Sequence, residues 1–84
     1  MPVLSRFYGI VAKMYFLGGE HNPPYVHFIY GEYVGAVEIR TRRMMEGDLP
    51  PKALAMAQEW TALHEAELLD IWESQNFRQI PPLE

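Results

Sequence analysis

The chain has 84 residues, 49% of them hydrophobic and 13% aromatic, with no cysteine and a formal charge of −4. That length bounds it to a single domain, residues 1–84, burying about 60–65% of the surface its unfolded form exposes, and the lack of cysteine excludes disulfides, thiolate metal sites and a cysteine nucleophile. No apolar run nears the roughly 18 residues of a membrane span, and MPVLSRFYGIVAK lacks the apolar region and cleavage pattern of a signal peptide, so a soluble, cytoplasmic protein with no membrane partner is expected.

From Tyr8 to Phe16, residues Ile10, Ala12, Met14 and Phe16 alternate with Val11, Lys13 and Tyr15, and this period of two predicts a first strand. LGGEHNPP then gathers glycine, asparagine and proline, which supply positive φ, local side-chain bonding and fixed φ, so the chain turns there. YVHFIY reads as a second strand, GE at 31 and 32 as a short connection, and YVGAVEIR as a third strand with Gly35 marking a bulge. TRRMMEGDLPP leaves room for a fourth strand of two or three residues around Met44.

Asp48 is placed to cap a helix, and Pro50 and Pro51 suit its first turn, where an amide hydrogen has no intrahelical partner. KALAMAQEWTALHEAELLDIWESQ contains neither glycine nor proline, which predicts one helix of about six turns over residues 49–76. Residues 77–84 read as an extended tail packed through Phe77 or Ile80 at most. The expected fold is therefore α+β: a three-stranded antiparallel meander, or a four-stranded one, over residues 8–46, packed by one long C-terminal helix.

Successive helical residues lie about 100° apart, which gathers Leu54, Ala57, Trp60, Leu68, Ile71 and Trp72 into one stripe and sets Lys52, Glu59, Asp70 and Glu73 opposite. His64 falls near the middle of the apolar stripe, so its side chain is expected to point toward the sheet. One reading is a core histidine bonded to a backbone carbonyl or a tyrosine hydroxyl, because an unpaired buried polar group costs about 1–3 kcal/mol. The other is a polar pocket in which His64 meets His21 or His27, with Pro23 and Pro24 as a stiff strut and Tyr25 and Tyr30 in its walls.

The second strand's own alternation constrains that pocket. His27 shares a face with Tyr25 and Ile29, whereas Val26, Phe28 and Tyr30 form the more apolar face. If the apolar face meets the helix, His27 points away from His64, and only His21 is left to approach. The three histidines lack a short-spaced ligand pair, so no metal site is expected. Neither a nucleophile elbow nor a phosphate cradle is present, and no cofactor is expected.

Residues 1–50 balance Arg6, Lys13, Arg40, Arg42 and Arg43 against Glu20, Glu32, Glu38, Glu46 and Asp48. In the helical segment Lys52 faces Glu59, Glu65, Glu67, Asp70 and Glu73, so the excess charge resides there. An acidic domain lacks the basic footprint of a nucleic-acid binder; the patch of Arg40, Arg42 and Arg43 reads as a solvated strand end. Two tryptophans and five methionines exceed what three strands and one helix can hide. Exposed apolar surface of that kind marks an interface, with a second copy or with a small protein partner encoded nearby.

The segments SRFYGIVAKMYF, EHNPPYVHFIYGEY, LPPKAL and EWTALHEAELLDIWE together resemble a small bacterial family, domain-of-unknown-function family 4160. Its pattern of RFYGI, DHxPPHFH, YG, LP and EWxxxHxxEL maps onto Arg6–Ile10, His21–His27, Tyr30–Gly31, Leu49–Pro50 and Glu59–Leu68. Glu20 replaces the aspartate, Tyr25 the first histidine of HFH and Val26 its phenylalanine, leaving His21, His27 and His64 as candidates. The resemblance implies a stand-alone cytoplasmic protein, often encoded beside another small domain in toxin–antitoxin-like pairs. Two functions are carried forward. The first is a non-enzymatic interaction module; the alternative is a small nuclease-like toxin in which His21 or His27 acts as general acid or base and Arg40, Arg42 or Arg43 holds a phosphate.

Overall fold

The computed structural model describes residues 3–14, 24–74 and 76–83. Within them five strands, β1 (Val3–Phe7), β2 (Ile10–Lys13), β3 (Tyr25–Tyr30), β4 (Tyr33–Glu38) and β5 (Met44–Gly47), precede two helices, α1 (Pro51–Leu63) and α2 (Glu65–Ser74). Each strand pairs antiparallel with its neighbour in sequence. The α+β class and the meander are as expected, but the sheet is wider than three or four strands and the helix is divided.

The extra strand comes from a turn hidden inside an alternating run. Tyr8 (φ 49°) and Gly9 (φ 81°) both adopt left-handed backbone, the geometry of a tight two-residue hairpin, so Phe7 pairs with Ile10. Of the single strand expected from Tyr8 to Phe16, the described part is thus a turn followed by β2, with β1 upstream, and Tyr15 and Phe16 lie outside the described residues. At the other edge, the strand expected around Met44 forms as β5. The irregularity expected at Gly35 lies instead between Ala36 and Val37, opposite β5. Gly35 has a different role: a Cβ there would stand 2.9 Å from Leu49 Cγ, so its bareness admits the Leu49 side chain.

Asp48 does not cap the helix. Pro50 occupies the cap position without a side-chain bond, while the Asp48 N–H donates to the Val34 carbonyl at 2.9 Å. The helix is interrupted at His64 (φ −116°, ψ 25°), whose N–H donates to Trp60 O at 3.1 Å and whose carbonyl accepts from Leu68 N–H at 2.9 Å. α2 therefore follows α1 with a one-residue break. No described helix is long and apolar enough to cross a membrane.

Both helices pack on one face of the sheet. Phe7, Ile10, Ala12, Val26, Phe28 and Val37 from the strands join Ala53, Ala57, Trp60, Leu68 and Ile71 from the helices in one buried cluster. Trp60 is its centre, fully buried, with ring centroids 5.4 Å from Phe7 and 5.8 Å from Phe28. Its indole Nε1–H donates to Pro81 O at 2.9 Å, satisfying the one polar atom that would otherwise cost burial energy. The extended tail packs more thoroughly than expected: Ile80 and Leu83 are buried, Phe77 packs on the core, and the Ile80 N–H donates to Leu4 O at 2.8 Å. That bond places the tail along the outer edge of β1.

Candidate functional site

Strand alternation divides the candidate residues between two sides of the sheet. Val26 and Phe28 belong to the core, so His27 and Ile29 project from the opposite, outer face, whereas the ring of Tyr25, the first residue of β3, reaches Trp72 of α2. This is the arrangement under which His27 and His64 cannot share a pocket. Tyr25 and Tyr30 also part, standing at the two ends of β3, with Tyr30 packed against the core. Pro24 is buried and its carbonyl accepts from Ile39 N–H at 2.9 Å. His21 and Pro23 lie outside the described residues, and with them the expected approach of His21 to His64.

His64 sits at the rim of the core. Its side chain is 16% exposed, its ring lies 5.4 Å from that of Trp60, and Nδ1 is 2.8 Å from Glu67 Oε1. The backbone carbonyl or tyrosine hydroxyl expected as its partner is thus a carboxylate on the following turn. Both residues face along the helix break, where the i to i+3 spacing places them as neighbours.

On the outer face the register aligns Lys13, His27, Ala36 and Glu46 in one cross-strand row. The next row is Arg6, Val11, Ile29 and Val34. Strand spacing of about 4.8 Å sets His27 and Glu46 on either side of Ala36. The small Ala36 side chain leaves a shallow depression of about 300 Å³ between them, lined by His27, Val34, Gly35, Ala36, Glu46 and Gly47. Burial lowers the His27 pKa from its ordinary 6.5, and the negative charge of Glu46 partly opposes that shift. The Tyr25 ring stands edge-on to His27 at 5.1 Å and also lies 5.2 Å from the ring of Trp72.

The arginines are unequally placed. Arg42, in left-handed backbone (φ 63°), donates through Nη1 to Glu65 Oε1 at 2.8 Å and to Arg40 O at 3.3 Å, and its own carbonyl accepts from Gln58 Nε2 at 2.9 Å. Arg42 therefore fastens the β4–β5 connection to the helices, whereas Arg40 and Arg43 are exposed. Among the described residues no three side chains of metal-ligating type gather in a cluster. Lys13 and Glu46 were not legible as neighbours of His27, because only the pairing of β2 with β3 and of β4 with β5 brings them into its row.

A five-stranded meander with helices on one face and a mixed apolar and charged opposite face defines a two-layer α+β protein. The family model described as domain of unknown function (DUF4160) matches residues 9–73, and the chain belongs to that family. Neither a curated protein nor a solved structure matches it.

Proposed function

We propose that the chain is a non-enzymatic protein-interaction module that docks through the outer face of its sheet, as a homodimer or as half of a regulatory, toxin–antitoxin-like pair. The observation that carries this reading is the row Val11, Ile29 and Val34. These residues stand side by side across β2, β3 and β4, none belongs to the core cluster, and Val34 is 45% exposed. The solvated face of an antiparallel sheet is ordinarily polar, and a contiguous apolar strip there has the character of an interface. A partner from a neighbouring gene is what the family resemblance implies.

The test is co-purification of the tagged chain from its own host, alongside Val34→Asp and Leu63→Asp, the latter altering a residue that is 65% exposed on the helical side. A stoichiometric partner, or a second copy, retained by Leu63→Asp and lost with Val34→Asp is the expected outcome. Retention by both variants would overturn the assignment of the face, and a solitary monomer in every preparation would overturn the reading.

The second reading, a histidine-dependent nuclease-like toxin, has one specific observation in its favour: His27 and Glu46 flank a depression, with Lys13 beyond His27 in the same row. A neutral His27 imidazole would take the proton of the attacking hydroxyl as general base and, as imidazolium, return it to the leaving oxygen, with Lys13 in the same row against the phosphate charge. Growth arrest on expression, abolished by His27→Ala, distinguishes it from the first reading.

A further inference from the structure

We infer that the occupant of the outer face is a second copy of this chain, stacked face to face about a two-fold axis running along β3. This rests on the interaction-module reading and adds the partner. The charges of the outer face are segregated by strand. Arg6 on β1 and Lys13 on β2 make one flank positive, and Glu38 on β4 and Glu46 on β5 make the other negative. The apolar residues Val11, Ile29 and Val34 lie between them.

Among the described residues none of these four charges takes part in an ion pair; those formed are Arg42–Glu65, His64–Glu67 and Arg78–Asp70. Glu38 does accept a hydrogen bond from Thr41 Oγ1 at 2.7 Å, which leaves its charge uncompensated.

Symmetry then selects the arrangement. A two-fold axis along β3 lays β3 on β3, β2 over the second copy's β4 and β1 over its β5. Both positive strands meet negative ones, twice over, and the central valine–isoleucine strip meets itself. An axis across the strands would instead lay each strand on its own copy and stack like charges, at an energetic cost that a desolvated interface amplifies. Two sheets packed this way lie about 10 Å apart with their strands nearly aligned, close enough for lysine, arginine and glutamate side chains to span the gap. Such a contact is isologous and closed, as expected of a soluble dimer.

The competing route, edge-to-edge pairing, is available on one side only. The tail occupies the β1 edge through the Ile80–Leu4 bond, whereas β5 is open, with Met45 43% exposed.

The experiment uses the full chain in sedimentation velocity across a concentration series, with Arg6→Glu and Glu46→Lys, whose strands β1 and β5 lie over one another in the dimer, each alone and then mixed in equal amounts. In the face-to-face dimer each single variant opposes like charges in both symmetry-related contacts, so each should raise the dissociation constant at least about tenfold. The mixture should form a heterodimer, because Glu at position 6 of one chain, on β1, then meets Lys at position 46 of the other, on β5. Dimerisation unaffected by either variant would point to the open β5 edge and overturn the proposal. A wild-type monomer at all concentrations would also overturn it, and if a different protein still co-purified in a Val34-dependent way, the interaction-module reading would stand without it. Far-UV circular dichroism verifies folding. Should either variant fail to fold, the wild-type dissociation constant decides the matter: a rise of about tenfold from low to high salt is expected, and its constancy would refute the charge pairing.

Discussion

Gly47 shows how a single backbone position can hold a sheet edge. Its φ is +90°, and a Cβ built there would collide with the carbonyl oxygen of Val34, against which β5 closes onto β4. Two costs therefore combine at one residue, left-handed backbone and a clash with main chain that has no rotamer in which to yield. Gly47→Ala should destabilise the protein by about 2–4 kcal/mol; a urea midpoint unchanged from wild type would contradict the geometry. Gly31, with positive φ but nothing near its missing Cβ, should tolerate alanine better.

His27 makes a second residue-scale prediction, through pH. Burial lowers its folded pKa below the ordinary 6.5, so between the lowered value and 6.5 the unfolded chain binds more protons than the folded one. Stability from this group is therefore complete above pH 6.5 and declines as pH falls toward the folded pKa, below which it levels off. Glu46 across Ala36 moderates the shift, and Lys13 on the other side carries like charge to the imidazolium. Urea unfolding of wild type and His27→Gln at about pH 7.5 and about pH 5.5 should show the larger acid loss in wild type. Equal losses would mean that His27 is solvated as in a free peptide.

At the scale of elements, the tail is the part with most influence for its length. It buries Ile80 and Leu83, accepts the Trp60 indole proton on Pro81 O and covers the β1 edge through Ile80 N–H. Each buried aliphatic side chain contributes about 1.5–3 kcal/mol, so removing residues 80–84 should cost about 3–6 kcal/mol, a large part of the total stability of a domain this small. It should also expose an edge strand that can template association. Circular dichroism melts and light scattering on the truncated chain would register both effects, and a truncated chain as stable and as dispersed as wild type would refute the tail's structural role. The helix break has a different character. His64 turns out of regular α geometry while Trp60 and Leu68 keep backbone bonds to it, which lets both helices bury a residue against the same sheet.

For the molecule as a whole, the meander gives neighbouring strands mostly local contacts, and the tail supplies the most distant one, between Leu4 and Ile80. Loop closure over nearly the full chain costs the most entropy, so this contact should form after the sheet and helices have consolidated. Ile80→Ala should then accelerate unfolding while leaving the folding rate nearly unchanged, the signature of a residue unstructured in the transition state. A chevron in which the folding arm falls instead would place the tail in the nucleus.

What the sequence determined by itself follows from local physics. Period-two alternation located β3, β4 and most of β2, the paired prolines marked the start of α1, and the wheel placed Trp60, Leu68 and Ile71 on the buried side. The alternation of β3 even stated the condition that parts His27 from His64. Tertiary structure decided the rest, because it depends on contacts between distant residues. Tyr8 continues an alternating pattern and gives no local sign of left-handed backbone; only the pairing of Phe7 with Ile10 fixes the turn there. Asp48 resembles a cap until its amide is used by Val34. The row of Lys13, His27, Ala36 and Glu46 exists only through register, since residues far apart in the chain become cross-strand neighbours when strands align, and no spacing in a sequence encodes which ones.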